Sequence, residues 1–323
     1  MLNVWVQVGF RMILKVGTRG SKLSLVQTEA VLRDIKTVQP DVEFQVNIIK
    51  TLGDREHGKP LFTIDSKGIF EKELDQAVEK GEVDLAVHSL KDVPTVDPEE
   101  RQTTIAAIPK RASPRDVLIS KGNIPLNSLA KGALIGTGSL RRLAQVKFLR
   151  PDLEVKPIRG NVDTRIRKVR KGEFDGVVVA EAGLERLGLE GEIAERFSLD
   201  RFYSAAGQGA LAIVTRKGDE DTMEVVRAVD HAPTRAEVTA ERSMVLHLEG
   251  GCRVPIGAVG RADGEVLSLN GCIFSLDGKA KLEAFAEGKN SEAEEIGKRV
   301  ARSLVKQGAH DLEKEWREKY GPW

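Results

Sequence analysis

The sequence predicts an α/β chain of two doubly wound lobes followed by a small α+β unit. Three observations lead there. Through the first two lobes, short apolar strands alternate with amphipathic helical stretches, the pattern of a parallel or mixed sheet covered on both faces. The pattern also repeats: KVGTRGSKLSLVQ (15–27) returns as ALIGTGSLRRLAQVKFL (133–149), and KGEVDLAVHS (80–89) as KGEFDGVVVA (171–180). Beyond residue 219 the character changes to helices and period-two strands, as in a small antiparallel sheet with helices packed on it.

In order, ILKVGT (13–18) is a strand ending in Gly-Thr. The helix after it places Leu25, Val31, Leu32 and Ile35 on one face, with Ser21 as N-cap. FQVNII (44–49) alternates as a strand. KGIFEKELDQAVEKG (67–81) is a helix burying Phe70, Leu74, Ala77 and Val78, and VDLAVH (83–88) is a short buried strand. IPKRASPRDVLIS (108–120), with Pro109 and Pro114, reads as a crossover to the second lobe, which opens with the 133–149 strand and helix. AAGQGALAIVTRKGD (205–219) holds a further strand. The last unit has helices near 220–230 and 234–248, strands at 254–262, 266–274 and 280–287, and a helix from 291. The expected domains are 1–108 with 203–218, then 109–202, then 219–323.

Composition narrows the function classes. The chain of 323 residues is long enough for two or three cores. With 50 Lys+Arg against 49 Asp+Glu, no global charge argues for nucleic acid or a membrane surface, so any anion site is local. No apolar run is long enough to span a bilayer. The opening MLNVWVQVGFRM has neither a charged n-region nor a cleavage site, and with two cysteines in a Lys/Glu-rich chain we expect a cytoplasmic protein with reduced thiols. The first strand begins near Ile13, so residues 1–11 read as an extension, with Met12 an alternative start.

Three groups of residues carry possible chemistry. Arginines recur at strand-to-helix corners: Arg19 after the first Gly-Thr, Arg141 and Arg142 beside Ser139, and Arg159 and Arg165 around the turn at Gly160. A guanidinium next to the N–H groups of a helix start suits planar anions, carboxylate or phosphate. HSLKDVP (88–94) puts Lys91 and Asp92 on a loop directly after a strand. An aspartate beside a cation stays ionised and can exchange protons, although a turn-capping aspartate fits as well. His88 reads as a hydrogen-bonded core residue. Cys252, in LEGGCRVPIG (248–257), follows two glycines that permit an open turn. It has no Cys-x-x-Cys partner, and His57, His88, His231, His247 and His310 lack ligand spacing near it, so no metal site is expected. An exposed nucleophile and an inert buried thiol both remain open; Cys272, within a strand, fits the inert reading. Gln208, between two glycines in AAGQGALAI, marks either a close backbone approach to a ligand or a simple turn.

VGTRGSKLSLVQ, SKGIFEKEL, VDLAVHSLKDVP, IGTGSLRR, IRGNVDTR, AGLERLGL, AAGQGALAI, HAPTRAEVTAERS and LEGGCRVPIG together resemble the porphobilinogen deaminase (hydroxymethylbilane synthase) family, in order from about residue 13 to 257. The resemblance implies two periplasmic-binding-protein-like lobes, with the strand near 210–215 returning to the first, and a three-stranded C-terminal domain. It implies a monomeric transferase of tetrapyrrole biosynthesis that joins four porphobilinogen molecules with release of ammonia. It also implies a dipyrromethane cofactor held by a thioether to Cys252. By the same resemblance Asp92 and Lys91 are catalytic. Arg19, Ser21, Ser139, Arg141, Arg142, Arg159, Gly160, Arg165, Arg186 and Gln208 bind the cofactor and chain, and Lys67, Gly68 and Phe70 belong to a loop over the site. Asp65 and Ser66, Gly138 and His247 depart from the family's usual residues. Without the resemblance, a two-lobed carboxylate binder or a cysteine hydrolase using His247 would fit the same residues.

Overall fold

A computed structural model describes residues 12–51, 71–95, 99, 101–248, 255–312 and 314. The first lobe contains β1 (Ile13–Thr18), α1 (Lys22–Val38), β2 (Glu43–Ile48), α2 (Lys72–Glu79), β3 (Leu85–Ser89) and β4 (Thr103–Ala107). The second contains β5 (Asp116–Ser120), β6 (Leu134–Gly136), α3 (Leu140–Leu149), β7 (Glu154–Lys156), α4 (Val162–Arg170), β8 (Gly176–Ala180), α5 (Glu181–Leu187) and β9 (Glu195–Arg196). After β10 (Leu211–Arg216) come α6 (Glu220–Arg227), α7 (Ala232–His247), β11 (Ile256–Asp263), β12 (Val266–Phe274), β13 (Lys281–Lys289) and α8 (Ala293–Lys306).

The internal repeat is real at the level of topology. One sheet runs β2-β1-β3-β10-β4 and the other β7-β6-β8-β5-β9. In each, one strand, β1 or β6, pairs in parallel with the next two in sequence, while the fourth position holds an antiparallel strand, β10 or β5, delivered from a crossover. The crossover expected over 108–120 therefore ends as a strand. DVLIS is buried at every position, and five consecutive buried residues in a sheet centre read as strand despite the prolines before them. β10 pairs with β3 and β4, so the chain returns to the first sheet as the resemblance implied.

Both Gly-Thr corners are built alike. Ser21 caps α1, its Oγ accepting the Ser24 N–H at 3.2 Å, and Ser139 caps α3 through Arg142 N–H at 3.5 Å. The third sheet, β11-β12-β13, is antiparallel and backed by α7 and α8. α7 also fastens the crossover. Buried Glu241 accepts Arg111 Nη1 at 2.8 Å and Nη2 at 3.1 Å, Gly207 N–H at 2.7 Å and Gly260 N–H at 2.9 Å. One carboxylate thus joins the crossover, the turn before β10 and the third sheet. Cys272 is fully buried against Tyr203 and Phe274, and burial pushes its thiol well up, which agrees with the inert reading.

Candidate active site

β3 ends at Ser89 and the chain tightens into a single 3-10 turn, Leu90–Asp92. Buried Leu90 anchors the turn, Asp92 is exposed and Lys91 half-buried. Burial, and Arg142 nearby, bring the Lys91 ammonium down to about 8, while Asp92 and Asp116 work the other way. Lys91 Nζ lies 3.4 Å from Gln208 Oε1.

Gln208 is held by its surroundings. Gly207 and Gly209 on either side have φ of +73° and +89°, a conformation that costs other residues strain. A Cβ on Gly209 would stand 2.6 Å from the carbonyl oxygens of Ala112 and Ser113. The tight double turn aims the buried Gln208 side chain so that Nε2 donates to Pro114 O at 2.7 Å and Asp116 Oδ1 at 3.0 Å. Its Oε1 is thereby turned to Lys91 and to Arg142 Nη2, 3.2 Å away. The approach is of backbone to backbone, and Gln208 is the group it presents.

Asp116, unremarked in the sequence, is the hub of this layer. It is wholly buried and accepts Arg141 Nη1 at 2.6 Å and Arg142 Nε at 2.8 Å. Burial alone would raise its carboxyl, but the two guanidinium groups and their hydrogen bonds hold it at about 2. Arg141 also donates to Tyr203 O. Arg141 and Arg142 therefore stand inside the fold, anchored to Asp116.

The cleft continues as a run of like charge. Burial, reinforced by Arg142 and Arg159, lowers the Arg165 guanidinium to about 10. Arg165 Nε donates to Gly160 O at 2.9 Å. Gly160 has φ +107°, and a Cβ there would sit 2.6 Å from Thr164 Cγ2, so the turn admits only glycine. Arg186, lowered to about 10 by burial, donates to Gly209 O at 2.7 Å. α1 and α5 meet near Leu23 and Gly183. Asp92 and Arg19 also act on the buried Glu71 carboxyl, the first raising it and the second lowering it.

The structure thus brings Lys91, Asp92, Arg142, Arg159, Arg165 and Gln208 into one electrostatic neighbourhood. Ser21 and Ser139 serve as helix caps, and Arg186 is tied to the glycine turn. Cys252, Lys67, Gly68 and Phe70 lie outside the described residues. Cavities of about 320 Å³ beside Lys121–Asn123 and about 580 Å³ between Phe148 and Asp277 hold none of these candidates. Among the described residues no cluster of His, Cys, Asp and Glu could hold a metal ion. The residues fit a polycarboxylate: several buried or half-buried cations depress one another, the state that an anionic ligand with spaced carboxylates relieves.

Comparison with known proteins gives the same ordering of parts. Residues 14–224 match the family model described as "Porphobilinogen deaminase, dipyromethane cofactor binding domain", and 235–306 match "Porphobilinogen deaminase, C-terminal domain". A "Probable porphobilinogen deaminase" of Nitrosopumilus maritimus is 44% identical over 308 residues, covering 95% of this chain and 98% of that protein. A "Porphobilinogen deaminase" of Brevibacillus brevis is 45% identical over 299 residues, covering 92% and 96%. One solved structure, an arginine-specific periplasmic binding protein of Salmonella typhimurium, aligns at 14% identity and TM-score 0.38 over 68% of this chain and 91% of its own. With both family models matched in sequence order and relatives of this identity aligned end to end, the chain belongs to the porphobilinogen deaminase family.

Proposed function

We propose that this chain is a hydroxymethylbilane synthase, a transferase that condenses four porphobilinogen molecules head to tail, releasing ammonia at each step, in tetrapyrrole (heme) synthesis. The observation that carries the reading is the cation run Lys91, Arg142, Arg159 and Arg165 set beside the exposed Asp92. Each porphobilinogen pyrrole bears an acetate and a propionate, so a product lengthening in one cleft accumulates carboxylates beside these cations. Loss of ammonia leaves a cationic methylene-pyrrole, for which a cleft of cations alone would be hostile. Asp92 offsets that charge, holds the pyrrole N–H groups and helps move the proton lost after carbon–carbon bond formation. Lys91, still a cation at neutral pH although burial lowers it to about 8, pairs with an acidic side group of the substrate.

Dipyrromethane, joined by a thioether to Cys252, supplies the pyrrole carbon at which condensation begins. Arg19, Ser21, Arg142, Arg159, Arg165, Arg186 and the Gly160 turn receive its carboxylates and those of the substrate, and Ser139 and Arg141 hold this wall in place. Gln208 orients Arg142 and Lys91, and Lys67, Gly68 and Phe70 cover the cleft. We take the domains as 1–108 with 203–218, then 109–202, then 219–323. The same reading takes the protein as a cytoplasmic monomer without nucleic-acid or membrane partners; among the described residues no helix is long and apolar enough to cross a membrane.

Intact mass spectrometry tests the tether. The wild-type protein should be heavier than its sequence by one dipyrrole, and Cys252→Ala should have the sequence mass. A folded, active wild-type protein of unmodified mass would refute it. Asp92→Asn should keep the dipyrrole and lose turnover by a factor on the order of 10² to 10⁴, the range of a positioned acid or base. Near-normal turnover removes Asp92 from the chemistry.

A further inference from the structure

The Lys91–Asp92 turn is gripped by one helix of the third unit. Val93 N–H closes the turn on Leu90 O at 3.1 Å, and Pro94 follows, which brings no N–H and cannot extend a sheet ladder. The carbonyl groups of Val93 and Pro94 therefore take their donors from another element. Arg242 of α7 supplies both: Nη1 donates to Val93 O and Nη2 to Pro94 O, each at 2.9 Å. The rest of that helix face acts on the same turn. Val238, one helical turn before Arg242, is fully buried in a cluster with Leu90, Val93 and Ala210. Glu241 accepts the N–H of Gly207 at 2.7 Å, and Gly207 packs on Leu90, where a Cβ would stand 2.9 Å from Cγ. The residue after it, Gln208, faces Lys91. Positions 238, 241 and 242 share one face of a helix, so α7 holds the entry to the turn through Leu90 and its exit through Arg242. The same helix ends at His247, and Cys252 stands ten residues beyond Arg242 in the sequence.

We propose that Arg242 is a positioning residue that fixes the Lys91–Asp92 turn to the helix leading to Cys252, so that tether and acid keep a set relation through successive condensations. This rests on the roles of Asp92 and Cys252 given above. Asp92 meets a methylene-pyrrole cation at every addition, and the carbon that attacks the cation belongs to a chain anchored at one point. A displacement of about 1 Å in such an arrangement costs on the order of 10² in rate. Arg242 acts here without touching the substrate. Its planar fork suits the task, because two N–H groups in fixed geometry pin two successive carbonyls and so set both the position and the direction of the backbone. An ammonium on a flexible stem is a point charge without that fork and holds the backbone less firmly.

The test uses the holoenzyme. Arg242→Met keeps the stem and removes the fork. It should still carry the dipyrrole by intact mass, lower kcat per holoenzyme about ten- to hundredfold, and leave KM within about twofold, since the cations that receive carboxylates are intact. Arg242→Lys should fall between Arg242→Met and the wild type. A dipyrrole-loaded Arg242→Met with wild-type kcat overturns the inference, and so does a loss confined to KM or an Arg242→Lys as slow as Arg242→Met. A lowered melting temperature with unchanged kcat overturns it too, because Arg242 would then only stabilise the fold. Should Arg242→Met not fold, the same limits apply to Arg242→Gln, which keeps an amide donor in its place. Asp92→Asn and Cys252→Ala, assayed alongside, keep the ideas apart. If Asp92→Asn is dead while Arg242→Met is normal, only the Arg242 inference fails. If Asp92→Asn is active, or Cys252→Ala still carries the dipyrrole, the role it rests on fails and this inference with it.

Discussion

Arg141 and Arg142 are adjacent on one helix, and both guanidinium groups turn inward to the same carboxylate. Two cations on one buried anion are stable here because Gln208 and the carbonyl groups of Tyr203 and Val178 accept further donors from them. Asp116→Asn keeps the shape and removes the charge. Breaking a buried ion pair from one side typically costs about 3–5 kcal/mol, so the variant's urea midpoint should fall by a corresponding amount. A loss under about 1 kcal/mol would mean that the arginines find other partners. The corner arginines and the HSLKDVP turn were legible in the sequence because their chemistry is local: a cap, a glycine, a strand end. Asp116 was not, since its partners lie 25 and 26 residues away and face it only after β5 enters the sheet. Glu71 was hidden for a similar reason, as one glutamate among many on a helical pattern until burial singles it out. His88 was read as hydrogen-bonded; it is buried as expected, yet its Nε2 has no hydrogen-bond partner among the described residues.

At the scale of elements, the antiparallel strand in each five-stranded sheet decides where the cleft lies. β5 and β10 each follow one of the two segments that pass between the sheets, and the AAGQG turn before β10 lies against the segment before β5. Ala112 N–H donates to Gly209 O at 3.3 Å, and Gln208 Nε2 reaches Pro114 O. Gly209→Ala would force a residue at φ +89° against two carbonyl oxygens. We expect a destabilisation of about 1–3 kcal/mol, the usual range for a strained backbone site. A rise in KM for porphobilinogen should accompany it, because Gln208 would no longer fix Lys91 and Arg142. Unchanged melting temperature and KM would show that the turn relaxes without consequence. Element type was readable for the long periodic stretches, α1, α7, α8 and the three C-terminal strands. β5 was obscured by Pro109 and Pro114 just upstream, and β4 by TTIAA, whose small residues carry no clear period.

At the scale of the molecule, the three sheets form one body through buried polar contacts, Glu241 above all, and buried titratable groups tie its stability to pH. His88 folds with a value near 3 against an ordinary 6.5. Below pH 6.5 the unfolded chain takes up a proton that the folded one refuses, so this group's contribution is complete above 6.5 and declines as pH falls toward 3. Between pH 7 and 5 the loss is about 2 kcal/mol, from about 1.4 kcal/mol per pH unit below 6.5. Glu71 works in the opposite sense. Its folded value near 9 lies above the ordinary 4.5, so its contribution is complete below 4.5 and is lost as pH rises toward 9. The two slopes offset one another across the neutral range, and the wild type should change little in urea midpoint between pH 7 and 5. His88→Gln removes one slope and leaves the other. Whatever its stability at pH 7, that variant should become more stable at pH 5 than at pH 7, by about 2 kcal/mol relative to the wild-type change. Parallel wild-type and variant curves over this range would mean that His88 takes its proton as readily in the folded protein as in the unfolded chain.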